Sequence, residues 1–210
     1  MASTHYTLYG RPNAGSLAPQ IVLEEIGAPY ELVWVGTEAA QIERFRHINP
    51  SGRVPCLGLP DGTAVPESAA ILIHLTLAHP EAGLAPPPGS TAHARFLSWM
   101  VFLSANLYET ALRYYYAERY SSSAAAGAPA IQAQARADYR RWLAQAHEAL
   151  DPYLLGSVFS AADPYLYMLA GWYPEGLEAL GATLPRLARH AELLHRRAAT
   201  RTADARHAGA

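Results

Sequence analysis

Along the first eighty residues the apolar positions alternate, then recur at helical spacing, then alternate again. Residues 5–10 (His-Tyr-Thr-Leu-Tyr-Gly) have the period of a strand, and Arg11-Pro12-Asn13-Ala14-Gly15 supplies turn residues that cannot extend it. Ser16 precedes Leu17, Ile21, Val22, Leu23 and Ile26 at helical spacing, with Pro19 in a tolerated first-turn position and Gly27 as the stop. The expectation is a first helix capped by Ser16. Residues 30–35 read as a second strand and residues 38–47 as a short helix. After Asn49-Pro50-Ser51-Gly52-Arg53, residues 54–59 form a strand that turns at Asp61-Gly62 into an antiparallel partner over residues 63–65. A helix over residues 67–79, apolar at Ile71, Ile73, Leu75 and Leu77, ends at Pro80. The order βαβ then ββα predicts a mixed sheet with helices on both faces.

Beyond Pro80 the pattern changes for good. The run Pro-Glu-Ala-Gly-Leu-Ala-Pro-Pro-Pro-Gly-Ser forms neither a long helix nor a central strand, so residues 1–80 are expected as one domain, 81–90 as a linker and 91–210 as a second domain. That second domain reads as all-α, with helices at 91–117, 129–155, 160–172 and 185–199, and a loose tail over 200–210. The segment His195-Arg196-Arg197 reads as a solvated helix face.

Charge narrows the partners. Eighteen acidic and 16 basic residues give a net charge of -2 without blocks, which argues against nucleic acid and anionic membrane as partners. No apolar run reaches the roughly 18 to 20 residues that cross a bilayer, and residues 1–10 lack a basic region followed by an apolar one, so the expected location is the cytoplasm. There is no lysine, which excludes phosphate-loop, Schiff-base and kinase-type lysine chemistry; arginine without lysine is read as GC-rich coding rather than function. Cys56 is the single cysteine, so no intrachain disulfide, Cys-x-x-Cys pair or multi-thiolate zinc site can form, and its strand position predicts a buried, inert thiol. The nine histidines show no metal-ligand spacing, and no metal is expected.

Two short segments carry candidate chemistry. Pro55 sits at a strand entrance without an N–H to give, and a cis Val54-Pro55 bond would turn the amide and carbonyl of Val54 toward a ligand; the alternative is an ordinary loop proline. Glu67-Ser68 opens a helix, where the hydroxyl, free main-chain N–H groups and the positive helix end suit a carboxylate; the alternative is a plain N-cap.

Pro55 after a Gly-x-Val turn, the Asp-Gly hairpin, the Glu-Ser helix start and an all-helical second half together resemble the cytosolic glutathione transferases, over nearly the whole chain. The resemblance implies a thioredoxin-like α/β N-terminal domain, with Val54 pairing the cysteinyl backbone of glutathione, Glu67 and Ser68 holding its γ-glutamyl group, and Arg53 and Pro55 beside them. Ser160-Ala161-Ala162-Asp163 looks like the family's N-capping box, with reciprocal side-chain bonds at the start of a buried helix. It further implies a homodimer and a hydrophobic electrophile as second substrate.

Gly15-Ser16-Leu17-Ala18-Pro19 is similar to the bacterial beta class, which usually carries Cys where Gly15 stands, and Tyr108-Glu109 occupies a place where that class often has His-Lys. A free thiol with a pKa of about 8.5 must be held as thiolate, and Ser16, Tyr9, Asn13 and Tyr108 are the candidate donors, Ser16 first. Ser16 alternatively only caps its helix. The helix carrying Asn106, Tyr108, Tyr114, Tyr115 and Tyr116 is expected to wall the electrophile pocket, although residues 114–116 cannot share one direction at about 100° per residue. The leading function is a glutathione transferase; the rivals are a glutathione-dependent isomerase, ether-cleaving or dehalogenating enzyme, or a non-catalytic transferase-like binding module.

Overall fold

A computed structural model of the chain describes residues 5–209, so residues 1–4 of the expected first domain and Ala210 of the expected tail lie outside it. The elements β1 (Tyr6–Gly10), α1 (Leu17–Ile26), β2 (Tyr30–Trp34), α2 (Ala39–Phe45), β3 (Cys56–Gly58), β4 (Ala64–Pro66) and α3 (Ser68–Ala78) follow in the expected order. Their sheet has the order β2-β1-β3-β4, with β1 parallel to β2 and antiparallel to β3, and β4 antiparallel to β3. Strand alternation sends Leu8 and Leu57 to the face covered by Ile21, Val22, Ile71, Leu72 and Leu75, all without accessible surface. The other face carries Tyr9 and Cys56 against Val35, Phe45 and Ile48. This is a thioredoxin-like α/β layer arrangement. The strand expected from residue 54 starts at Cys56, because Pro55 has no N–H for the ladder. Burial pushes the Cys56 thiol up to about 11, in line with an inert core side chain.

The second half is helical: α4 (Thr91–Phe102), a π-helical segment (Leu103–Tyr108), α5 (Glu109–Tyr115), α6 (Ala124–Ala149), α7 (Ala162–Gly171), α8 (Gly176–Gly181), α9 (Pro185–His195) and α10 (Ala198–Ala208). The single helix expected over residues 91–117 is thus broken by the π turn. The helix expected over 129–155 starts earlier, at Ala124, and stops at Ala149 before the cis Asp151–Pro152 bond and Gly156. Tyr139 of α6 is fully buried and donates to the Leu169 carbonyl of α7 at 2.5 Å.

Asp163 organises the start of α7. Its carboxylate has no accessible surface, accepts from Leu154 N–H (2.9 Å), Ser160 N–H (2.8 Å) and Ser160 Oγ (3.1 Å), and lies 3.2 Å from His190 Nε2. The reciprocal box expected here is only half made. The carboxylate satisfies the Ser160 amide, but the Ser160 hydroxyl donates to that same carboxylate instead of accepting from the helix.

The expected loose tail is corrected. The chain folds as two compact units, one running to Ala85 and completed by His195 onward, the other spanning Pro86–Leu194. Helix α10 packs on α1: Thr200, Ala203 and His207 are buried, and Arg197 clasps Glu25 through two bonds of 2.5 and 2.7 Å. Arg206 reaches the Tyr30 hydroxyl at 2.9 Å and Glu24 at 3.5 Å. The arginine expected on a solvated face at position 197 is therefore an anchor.

Two stability predictions follow from these buried groups. Asp163→Ala leaves two buried amides and His190 without their acceptor and is expected to cost about 3–5 kcal/mol in urea unfolding. His207 is 5% exposed, its ring nitrogens have no hydrogen-bond partner among the described residues, and burial lowers its pKa from 6.5 to about 4, against a smaller upward pull from Asp204. Above pH 6.5 both folded and unfolded chains carry it neutral. As the pH falls from there toward about 4 only the unfolded chain takes the proton, so stability is lost at up to about 1.4 kcal/mol per pH unit. His207→Phe is expected to shrink the fall in urea midpoint between pH 7 and pH 5, measured against the unsubstituted protein.

Candidate functional site

The register of the β3–β4 hairpin builds one end of the site. Cys56 pairs with Pro66 at the end of the hairpin, so Val54 and Pro55 enter the sheet at the end from which Glu67 and Ser68 leave it. The Val54–Pro55 bond is cis, as expected from sequence, and no hydrogen bond to the Val54 main chain occurs among the described residues. The loop before it is tied internally: Asn49 Nδ2 donates to the Arg53 carbonyl at 2.7 Å, and Ser51 N–H and Oγ donate to Asn49 Oδ1 at 3.2 and 3.0 Å. Arg53 and Glu67 are exposed beside this end, while Pro55 is buried.

Glu67 stands at φ 73° and ψ 116°, a conformation unfavourable for a residue with a side chain. It holds α3 in place, because its carbonyl accepts the Ile71 N–H at 2.9 Å. The Ser68 hydroxyl, expected to join the helix-start N–H groups toward a carboxylate or to cap the helix, donates to the Gly15 carbonyl at 3.1 Å, and Ser68 is 5% exposed. That bond joins the start of α3 to the loop before α1.

Within that loop Ser16 differs from its expected part. It has helical dihedrals and makes no side-chain cap bond to α1. It has no accessible surface, and its hydroxyl accepts from Arg11 N–H and donates to the Arg11 carbonyl, both at 3.2 Å. Both of its expected roles, helix cap and sulfur donor, are therefore displaced by loop closure: the proton is committed and the oxygen is shielded. Gly10 permits this packing, since a Cβ there would lie 2.6 Å from Ser16 Oγ and 3.2 Å from the Trp34 ring. Asn13, at the exposed tip with φ 54°, occupies the left-handed region that asparagine tolerates.

Tyr9 pairs with Cys56 in the sheet but projects to the opposite face from Leu8, where its ring packs 5.5 Å from Phe45. Burial, then the Cys56 and Glu31 charges, raise its pKa, so it stays a neutral phenol. It also borders an open depression of about 440 Å³ with His47, Leu59 and Asp61, at the hairpin end. The depression and the Val54–Ser68 assembly occupy different ends of the sheet.

In the helical unit, Tyr108 ends the π segment and meets Trp172 edge-on at 5.3 Å and Tyr165 at 6.4 Å. Tyr115, half exposed, donates its hydroxyl to the Trp172 carbonyl at 2.6 Å. Of the expected substrate residues, Tyr108 and Tyr115 thus both meet Trp172, the first at its ring and the second at its carbonyl, a residue that the sequence reading passed over. Asn106 bonds back to the Phe102 carbonyl at 3.3 Å. Glu109, at the position where a lysine was looked for, is paired with Arg113 at 2.7 Å, and Arg113 also bonds Asp138 and Thr110. Arg11 was also passed over, although it anchors the loop. Among the described residues no three His, Cys, Asp or Glu side chains group to hold a metal ion, and no helix is long and apolar enough to cross a membrane.

Known proteins share this architecture. Residues 16–77 match the family described as glutathione S-transferase, N-terminal domain. The chain is 30% identical over 200 residues to the glutathione S-transferase GstA of Escherichia coli O157:H7, covering 89% of this chain and 94% of that one. Among solved structures, a glutathione transferase homologue from Sulfitobacter with bound glutathione superposes with a TM-score of 0.87 at 28% identity, covering 98% and 99% of the two chains. A sphingomonad glutathione S-transferase complexed with glutathione gives a TM-score of 0.81 at 31% identity, covering 97% and 100%.

Glu67→Gly removes the unfavourable backbone geometry and is expected to raise stability by about 1 kcal/mol, read as a higher thermal midpoint.

Proposed function

Because the chain belongs to the glutathione S-transferase family, we propose that its first unit binds glutathione and holds the thiol as thiolate for attack on a hydrophobic electrophile. The observation that carries this reading is the convergence of Val54, Glu67, Ser68 and the Gly15 loop at one end of the sheet. The unpaired Val54 main chain offers a strand-like partner to the cysteinyl backbone of the tripeptide. The start of α3 supplies main-chain N–H groups for the γ-glutamyl carboxylate, and the exposed Glu67 carboxylate suits its ammonium group. Arg53 and Pro55 frame this end.

For the sulfur, the proposed donor is the Asn13 side-chain amide, the exposed candidate in the loop, helped by the positive end of α1. The thiol proton leaves to solvent, the sulfur lone pair forms the S–C bond, and the leaving group departs with its bonding pair. The wall of Tyr108, Tyr115 and Trp172 is proposed to receive the apolar part of the electrophile. We also propose a homodimer, supported by exposed apolar side chains at Leu77 and Val101, and a cytoplasmic location.

Calorimetry with glutathione tests the reading first: saturable binding is expected, and its absence at millimolar concentration sinks it. With an aromatic chloride as electrophile, Asn13→Ala is expected to lower kcat at least about tenfold while glutathione affinity stays within about threefold. Binding without turnover of any electrophile identifies the non-catalytic module instead. Light scattering at the mass of one chain removes the dimer.

A further inference from the structure

We propose that Arg11 is a positioning residue for the thiol-stabilising loop, a role that rests on the glutathione reading above. Its side chain and its main chain tie different parts of the unit to the same turn. The guanidinium donates from Nε to the Val35 carbonyl at 3.1 Å and from Nη2 to the Gly36 carbonyl at 2.9 Å. These two carbonyls lie just beyond the end of β2, where the ladder to β1 closes with Val35 N–H on the Gly10 carbonyl at 2.8 Å. The Arg11 main chain meanwhile gives its N–H to Ser16 Oγ and takes a bond from that same hydroxyl, both at 3.2 Å, and from Ala14 N–H at 3.3 Å.

The consequence is a loop held at both ends by one residue. Between Arg11 and Ser16 lie Asn13, in its left-handed conformation, and Gly15, whose carbonyl receives Ser68. The direction in which Asn13 and the first turn of α1 face a bound sulfur is therefore set by a fork reaching two carbonyls on the neighbouring connection. An ammonium group is a single point donor without a planar fork, so lysine reproduces only part of the hold. Among the described residues Arg11 makes no hydrogen bond to Val54, Glu67 or Ser68, and its guanidinium bonds the connection after β2 on one side of β1 whereas those residues adjoin β3 and β4 on the other.

The test is a pH titration of the thiolate absorbance of the glutathione complex in the unsubstituted protein, Arg11→Ala and Arg11→Lys, beside calorimetry and kcat with an aromatic chloride. Loosening the loop is expected to raise the bound thiol's pKa by about half to one pH unit, with glutathione affinity within about threefold. Kcat is expected to fall in step, and Arg11→Lys should lie between the two. No glutathione binding by the unsubstituted protein overturns the glutathione reading itself. Binding with an unchanged thiol pKa in both variants overturns the role of Arg11, as does a loss of affinity without a pKa shift, which marks general scaffolding. Should Arg11→Ala not fold, Arg11→Lys alone decides through its pKa.

Discussion

The buried hydroxyl of Ser16 bonds both main-chain groups of one residue, Arg11, and that closure fixes how β1 hands over to α1. A hydroxyl can donate once and accept twice, so a single serine satisfies the Arg11 amide and gives its carbonyl a second donor beside Ala14 N–H. Gly10 must be glycine for the hydroxyl to fit, and Gly15 is left with its carbonyl facing the start of α3. Ser68 takes that carbonyl, and with it α3 and the β3–β4 hairpin are brought to the same edge. The loop before α1 and the start of α3 are thus parts of one hydrogen-bonded unit rather than separate features.

The βαβ-ββα order was legible because the apolar period switches between two and helical spacing, with Gly27, Asp61-Gly62 and Pro80 as punctuation. The cis Val54–Pro55 bond and the helix start at Ser68 were legible for a local reason: proline at a strand entrance and serine before an apolar helix each have few structural options. The part played by Ser16 was not. A serine before an apolar helix has the signature of a cap, and nothing local reveals that its hydroxyl will turn back five residues to Arg11. Arg11 was hidden for the same reason, since its partners are carbonyls, which carry no side-chain signal. Helix α10 escaped notice because its buried face is Thr200, Ala203 and His207, small or polar positions that give no apolar stripe.

In the helical unit the division between legible and hidden falls along range of interaction. Ser160 and Asp163 announce a helix start, but the second amide on that carboxylate, from Leu154, and the histidine from α9 come from chain segments with no sequence mark. The buried carboxylate works because four polar groups meet it; with fewer it would be a liability in a low-dielectric interior. Trp172 was missed since its partner Tyr108 is aimed by a π turn, which shifts helical phase and so defeats counting by 3.6. Tyr115 in turn closes a carbonyl at the end of α7, which fixes the position of a half-exposed phenol.

The return of α10 to the first unit also orders events at the ribosome. Glu24 and Glu25 are made before the helical unit, yet their arginines at 197 and 206 are made only after it. The nascent sheet must wait for the whole helical unit to be synthesised before its α1 surface is covered. The helical unit, made in a single stretch, has no such dependence and can reach its final form while the earlier one is still open.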